Sequence, residues 1–399
     1  MSAKSRSIGR AVCAAAVVAG LVTGPQAAAA PRPAPGPAAG PEEGSVAGLL
    51  TDLQELYRKT EQATETYNAT AEKLKKQRSE TKKLGAELAK ARTALHDSRA
   101  AAGRLARQQY QSDSELSPYL KLLLARDPRR ALDQGHVVRR MAAQRVGTVG
   151  RLVDREKKAD GLARRSRKAL AAQVALAARQ KEQRDEVTER LKDVEEMLSD
   201  LSPDELAALR RLEEKGTADA QRDLLGSGAL GGAAGSPGAS AQTRAPSKAG
   251  DAALRYAVKQ IGKPYVWGAE GPGSFDCSGL TSRAWQRAGV EIPRTSQEQW
   301  ARLERVPLHR LRPGDLVVYF PEATHVALYL GDGKVVQAPR PGSRVKVSPI
   351  AANPLLGAVR PDPEGRALSD PDYRPPELPP GAMSGSDLGY GAGVAPEEG

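Results

Sequence analysis

The chain has 399 residues, a formal charge of +12 and two cysteines, Cys13 and Cys277. That length allows two or three domains. No segment after the first thirty residues is long and apolar enough to cross a bilayer, and beyond them one cysteine and scattered histidines lack metal-ligand spacing.

Residues 1–29 read as an export signal. Lys4, Arg6 and Arg10 carry positive charge with no acid nearby, residues 11–23 are apolar, and Ala27-Ala28-Ala29 offers a small-residue cleavage site. Removing the three cations leaves +9. An exported basic chain is drawn to anionic polymers. Nucleic acid is then not a partner; acidic wall polymers or anionic lipid headgroups are, and a solvated basic surface accounts for the charge equally well. Residues 30–44 are Pro-rich and are expected to carry no fold.

Residues 45–215 carry heptads. Steps of four and three from Leu49 reach Leu53, Leu56, Thr60, Ala63, Tyr67, Thr70, Leu74, Gln77, Thr81, Leu84, Leu88, Ala91, Leu95, Ser98, Ala102 and Leu105, mostly apolar among polar neighbours. This spacing predicts a coiled coil. A second seam runs through Leu170, Val187, Leu191, Val194 and Leu198, and Pro118 and Pro128 interrupt the helix between them. The expected form is a long antiparallel helical hairpin, with the apolar run 119–124 at its tip and a short third helix capped by Ser202. A rigid spacer or dimerisation rod explains the heptads as well as a regulatory arm does. Residues 216–247, rich in Gly, Ala and Ser, are expected to be a flexible linker.

All tryptophans and phenylalanines fall within 251–360, which locates the globular core. Asp251–Ile261 has helical spacing, and a further helix runs from Cys277 to Gly289. Cys277 is then the only cysteine of the exported chain, at a helix N-terminus, where dipole and free N–H groups favour a thiolate nucleophile. Its partner must be a histidine. His96 and His136 lie in the rod and His309 in a polar turn; His325 opens the apolar strand 325–330. The next strand, beyond the turn Gly331-Asp332-Gly333, brings Gln337 alongside as the group that orients the imidazole.

Several motifs occur in order: Gly262-Lys-Pro-Tyr-Val-Trp-Gly268, Phe275-Asp-Cys-Ser-Gly-Leu280, Ile292-Pro-Arg-Thr-Ser-Gln297, Pro313-Gly-Asp-Leu-Val317 and His325-Val-Ala-Leu-Tyr-Leu-Gly331. On these, residues 248–361 resemble the NlpC-type peptidoglycan endopeptidases, papain-like cysteine peptidases of α+β fold, preceded here by the long antiparallel α-helical coiled coil. The resemblance implies Cys277, His325 and Gln337 as catalytic residues. It implies Tyr265, Asp276, Ser278, Arg294 and Ser296 around the substrate, and no cofactor. It further implies cleavage of peptidoglycan stem peptides at the γ-D-glutamyl–diaminopimelate bond by a secreted, wall-associated enzyme. Within 251–360, 15 Lys and Arg face 9 Asp and Glu, which suits an anionic peptide. The helical region resembles the coiled coils of secreted wall hydrolases. That resemblance implies that the hairpin gates Cys277 or docks on a membrane-embedded division or wall-synthesis complex. A wall-binding scaffold, or a thiol amidase or acyltransferase, remains the alternative. The tail 362–399 is acidic, Pro- and Gly-rich, and expected to be disordered.

Overall fold

The computed structural model describes residues 43–112, 128–231, 244–368, 373–385 and 387. Helix α1, Glu43–Ser112, runs antiparallel to α2, Pro128–Ser199. At 1.5 Å per residue each rod is on the order of 100 Å long. The α1 heptad positions named above are all buried or half-buried, and Leu84, Leu88, Ala91 and Leu95 pack with Ala159, Leu162 and Ala169 of α2. The second seam differs from expectation at one place. Leu170 is 52% exposed and Ala169 is buried instead, because the smaller side chain lets the helices approach where Gln77 reaches the Ala169 carbonyl. The apolar run 119–124 lies outside the described residues.

Helix α3, Pro203–Gly226, starts with a full capping box: Ser202 accepts from the Glu205 N–H, and the Glu205 carboxylate accepts from the Ser202 N–H. It runs eleven residues into the segment expected to be linker, 216–226. Two apolar stretches explain this. Leu209 packs with Leu53, Tyr57 and Val194 of the hairpin, and Leu224, Leu225 and Leu230 pack on the sheet of the C-terminal domain.

That domain begins with α4, Lys248–Val258, then α5, Cys277–Arg287, and α6, Ser296–Arg302. Six strands follow: β1 Glu304–Val306, β2 Leu316–Tyr319, β3 His325–Gly331, β4 Lys334–Gln337, β5 Lys346–Pro349 and β6 Leu355–Arg360. The sheet is antiparallel in the order β1-β6-β2-β3-β4-β5. Asp332 (φ 51°) and Gly333 (φ 65°) both take the left-handed conformation that a two-residue hairpin requires. Helices α4 and α5 cover one sheet face, with Trp285, Phe275 and Leu254 fully buried, and the end of α3 covers the other. Every residue of β3 is buried, so a side chain at its start is held by the core. Part of the segment expected to be disordered also lies on the domain: Ala382 is 4% exposed, and its carbonyl accepts from the Val347 N–H of β5.

Candidate active site

Asp276 caps α5, its carboxylate accepting from the Gly279 N–H at 2.6 Å. Cys277 is therefore the first helical residue. Gly279 is required by close approach, since any Cβ there would run into the Ala269 carbonyl. Across the groove His325 begins β3. Val335 of β4 pairs with Tyr329 of β3. Gln337 lies two residues past Val335 and His325 four before Tyr329, so both share one sheet face. His325 Nε2 and Gln337 Oε1 are 2.7 Å apart. An amide oxygen only accepts, so Nε2 carries the proton and Nδ1 presents a lone pair. Gln337 is itself fixed. Its Nε2 donates to Ser348 Oγ at 2.8 Å and to Asp387 Oδ1 at 3.2 Å, and the Ser348 hydroxyl donates to the same oxygen at 2.5 Å.

The five residues expected around a substrate fall on the same groove. Arg294 donates to both oxygens of Asp276, at 3.1 and 2.7 Å, and to Ser278 Oγ at 2.8 Å. Ser296 begins α6 with its N–H turned inward, and Tyr265 is 6% exposed. The structure brings all eight expected site residues together.

The sequence offers gating by the hairpin as one of two alternatives but does not name the residues that occupy the groove. The first part of α1 lies over it. Glu65 Oε1 accepts from Ser278 Oγ at 2.7 Å and is 3.9 Å from Cys277 Sγ, and Glu65 Oε2 accepts from the Ser296 N–H at 2.8 Å. Asn68 Nδ2 donates to Asp276 at 3.1 Å. Glu61 Oε1 lies 3.5 Å from His325 Nδ1 and 3.8 Å from Arg340 Nε. Tyr67 packs edge-on to Trp267, centroids 4.9 Å apart. Glu61, Glu65 and Asn68 recur at intervals of four and three residues, so they form one stripe of α1. That spacing alone is not a signal of burial, because a polar stripe beside an apolar seam is ordinarily a solvated face. Asp387 and Arg340 carried no signal either, because only folding brings them to the groove.

Burial sets the protonation of the covered site. Cys277 is 2% exposed. Its thiol is pushed well above its ordinary value, first by burial and then by the carboxylates of Glu65, Asp276 and Glu61. The sequence led us to expect a thiolate favoured by the helix N-terminus; under α1, desolvation and three nearby acids outweigh that dipole. Burial also drives His325 down to about 4, so the imidazole is neutral. Glu61 is raised to about 8 and Glu65 to about 7, again chiefly by burial. Among the described residues no cluster of His, Cys, Asp and Glu could hold a metal ion.

Residues 262–356 match the NlpC/P60 family. The C-terminal domain is an NlpC/P60 domain. Over 124 residues the chain is 42% identical to a probable endopeptidase of Corynebacterium glutamicum strain R, covering 31% of this chain and 59% of that protein. It is 36% identical over 132 residues to the peptidoglycan endopeptidase RipA of Mycobacterium tuberculosis, covering 29% and 28% of the two chains. Among solved structures, the NlpC/p60 domain of the peptidoglycan hydrolase SagA is 35% identical, covers 28% of this chain and 97% of that one, and aligns with a TM-score of 0.27. The chain thus spans about three-fifths of the first of these relatives, and the NlpC/P60 domain is the part they share.

Proposed function

We propose that this chain is a secreted hydrolase of peptidoglycan stem peptides, cutting the γ-D-glutamyl–diaminopimelate bond by thiol catalysis, and that α1 holds it closed. The observation that carries the reading is His325: its Nε2 is tied to Gln337, its Nδ1 has no hydrogen-bond partner, and the stripe of α1 that lies 3.5 Å from that Nδ1 at Glu61 lies 3.9 Å from Cys277 Sγ at Glu65. The names of the relatives, among them a peptidoglycan endopeptidase, support the substrate.

With α1 lifted, His325 Nδ1 takes the Cys277 proton and Sγ attacks the carbonyl carbon. The imidazolium returns that proton to the departing amine as the C–N bond breaks and a thioester remains. Water, losing a proton to Nδ1, then attacks the thioester, and the thiol leaves reprotonated. Gln337 keeps the imidazole in the required tautomer. Tyr265, Asp276, Ser278, Arg294 and Ser296 shape the acyl side of the groove. Regulation follows from occupancy: Glu61, Glu65 and Asn68 stand where a peptide must lie. A membrane-embedded division or wall-synthesis complex, engaging the hairpin through residues 119–124, would supply the force that lifts it.

The test compares the full chain, its Glu61→Ala/Glu65→Ala form and that form with Cys277→Ala, each incubated with purified muropeptides and read by mass spectrometry. The open form should yield products ending in γ-D-glutamate, the full chain far fewer and the thiol-free form none. Equal rates for full and open chains would remove the closure; cuts elsewhere would remove the bond assignment.

A further inference from the structure

Helix α1 lays two carboxylates along the groove, one turn apart. Glu65 rests against Ser278 and the Ser296 N–H. Glu61 rests between His325 Nδ1 and Arg340. The catalytic reading above gives Nδ1 the task of protonating the departing amine, so a group lying against Nδ1 lies on the amine side of the scissile bond. Glu61 therefore marks that side, and the cation facing it is Arg340.

Arg340 is built as a receptor. It is 4% exposed. Its Nη2 donates to Asn353 Oδ1 at 2.8 Å, which fixes the plane of the guanidinium. Its Nη1 is buried without a hydrogen-bond partner. From α1 it is faced by Glu61 and by the ring of Tyr57, whose centroid is 5.1 Å away. Once α1 lifts, Asn353 remains and the Glu61 carboxyl no longer faces the guanidinium. A cavity of about 500 Å³ adjoins, lined on the domain side by Arg340, Phe320, Asn353 and Asp387 and closed by Leu50 of α1 and by α3, which contributes Glu213. It has room for one amino-acid residue. A buried guanidinium with a free N–H favours a carboxylate, which accepts two parallel hydrogen bonds, far more than a neutral amide.

We propose that Arg340 is a specificity residue that recognises a free carboxylate on the amino acid departing with the amine, a carboxylate whose place Glu61 holds in the closed chain. This rests on the catalytic reading for which side of the bond Arg340 serves. The substrate class is then a peptide with an anionic residue on the amine side; the same peptide amidated at that carboxyl is a poor ligand.

The experiment uses the full chain carrying Glu61→Ala, Glu65→Ala, Asn68→Ala and Cys277→Ala, which removes the polar side chains that α1 lays on the groove and leaves bound peptide uncut. Two synthetic stem peptides, differing only in carboxylate or carboxamide on the amine-side residue, are titrated by calorimetry. The carboxylate peptide should bind about ten-fold or more tightly. Arg340→Ala should erase that preference while leaving carboxamide affinity within about two-fold, which a misfolded protein could not do, and Arg340→Lys should keep part of it. Equal affinity for the two peptides, or a preference that survives Arg340→Ala, overturns the proposal. With the thiol restored, intact binding preference but no hydrolysis would instead overturn the catalytic reading alone.

Discussion

At the scale of single residues, the site depends on groups that hold other groups. Gln337 can orient His325 only if its oxygen faces the ring, and Ser348 and Asp387 keep its amide nitrogen facing away. Asp387→Ala should lower kcat of the opened chain roughly ten-fold with little change in KM, on the scale of one lost charge-assisted hydrogen bond. Asp387→Asn, which still accepts, should recover most of it. Equal kcat for Asp387→Ala and the parent would show that Ser348 suffices. Gly279 is a packing requirement: Gly279→Ala forces a methyl against the Ala269 carbonyl and should cost about 1–3 kcal/mol in urea unfolding. Cys277→Ala should leave stability nearly unchanged while abolishing hydrolysis.

At the scale of one element, α1 carries two faces. Its apolar seam belongs to α2, and the stripe Glu61, Glu65 and Asn68 belongs to the groove. Burying carboxyls favours their neutral form. Glu61 faces His325, Arg340 and Glu65; Glu65 faces Asp276, Arg294, Ser278 and Cys277. Both are raised from an ordinary 4.5, to about 8 and about 7. The docked helix therefore holds protons that a released helix gives up. Their contribution to docking is complete below pH 4.5, declines as pH rises, and is spent by about pH 8. Iodoacetamide labelling of Cys277 reads this. Relative to a Glu61→Gln/Glu65→Gln chain, which stays neutral, labelling of the native chain should rise between pH 5 and 8. A constant ratio would mean the carboxyls do not control docking.

At the scale of the molecule, α3 joins the two halves. Leu209 is fully buried between α1 and α2, while Gln221 donates to the Gly333 carbonyl at 2.9 Å and accepts from the Ala351 N–H at 3.1 Å on the sheet. Loosening α3 should therefore loosen the closure at a distance. Leu209→Ala should cost about 2–5 kcal/mol and speed Cys277 labelling, although Leu209 touches no active-site residue. Unchanged labelling in a destabilised Leu209→Ala chain would separate the buckle from the closure.

The sequence by itself determined everything that depends on local periodicity or on motif spacing. The α1 heptads, the Ser202 cap, the α5 start at Cys277 and the strand opened by His325 follow from patterns that fold reads within a few residues. The pairing of His325 with Gln337 did not follow from the turn alone: the turn pairs Gly331 with Lys334, and only the register shift between Tyr329 and Gly331 brings Gln337 onto the His325 face. Tertiary structure alone decided what lies on the groove. Glu61 and Glu65 are more than two hundred residues from Cys277 in the chain, and a glutamate on a heptad helix looks like any solvated charge until another domain covers it. The same holds for Arg340 beneath Tyr57, for Asp387 behind Gln337, and for the direction of the Cys277 shift. A helix N-terminus is written in the sequence, but the dielectric around it is set by whatever packs on top.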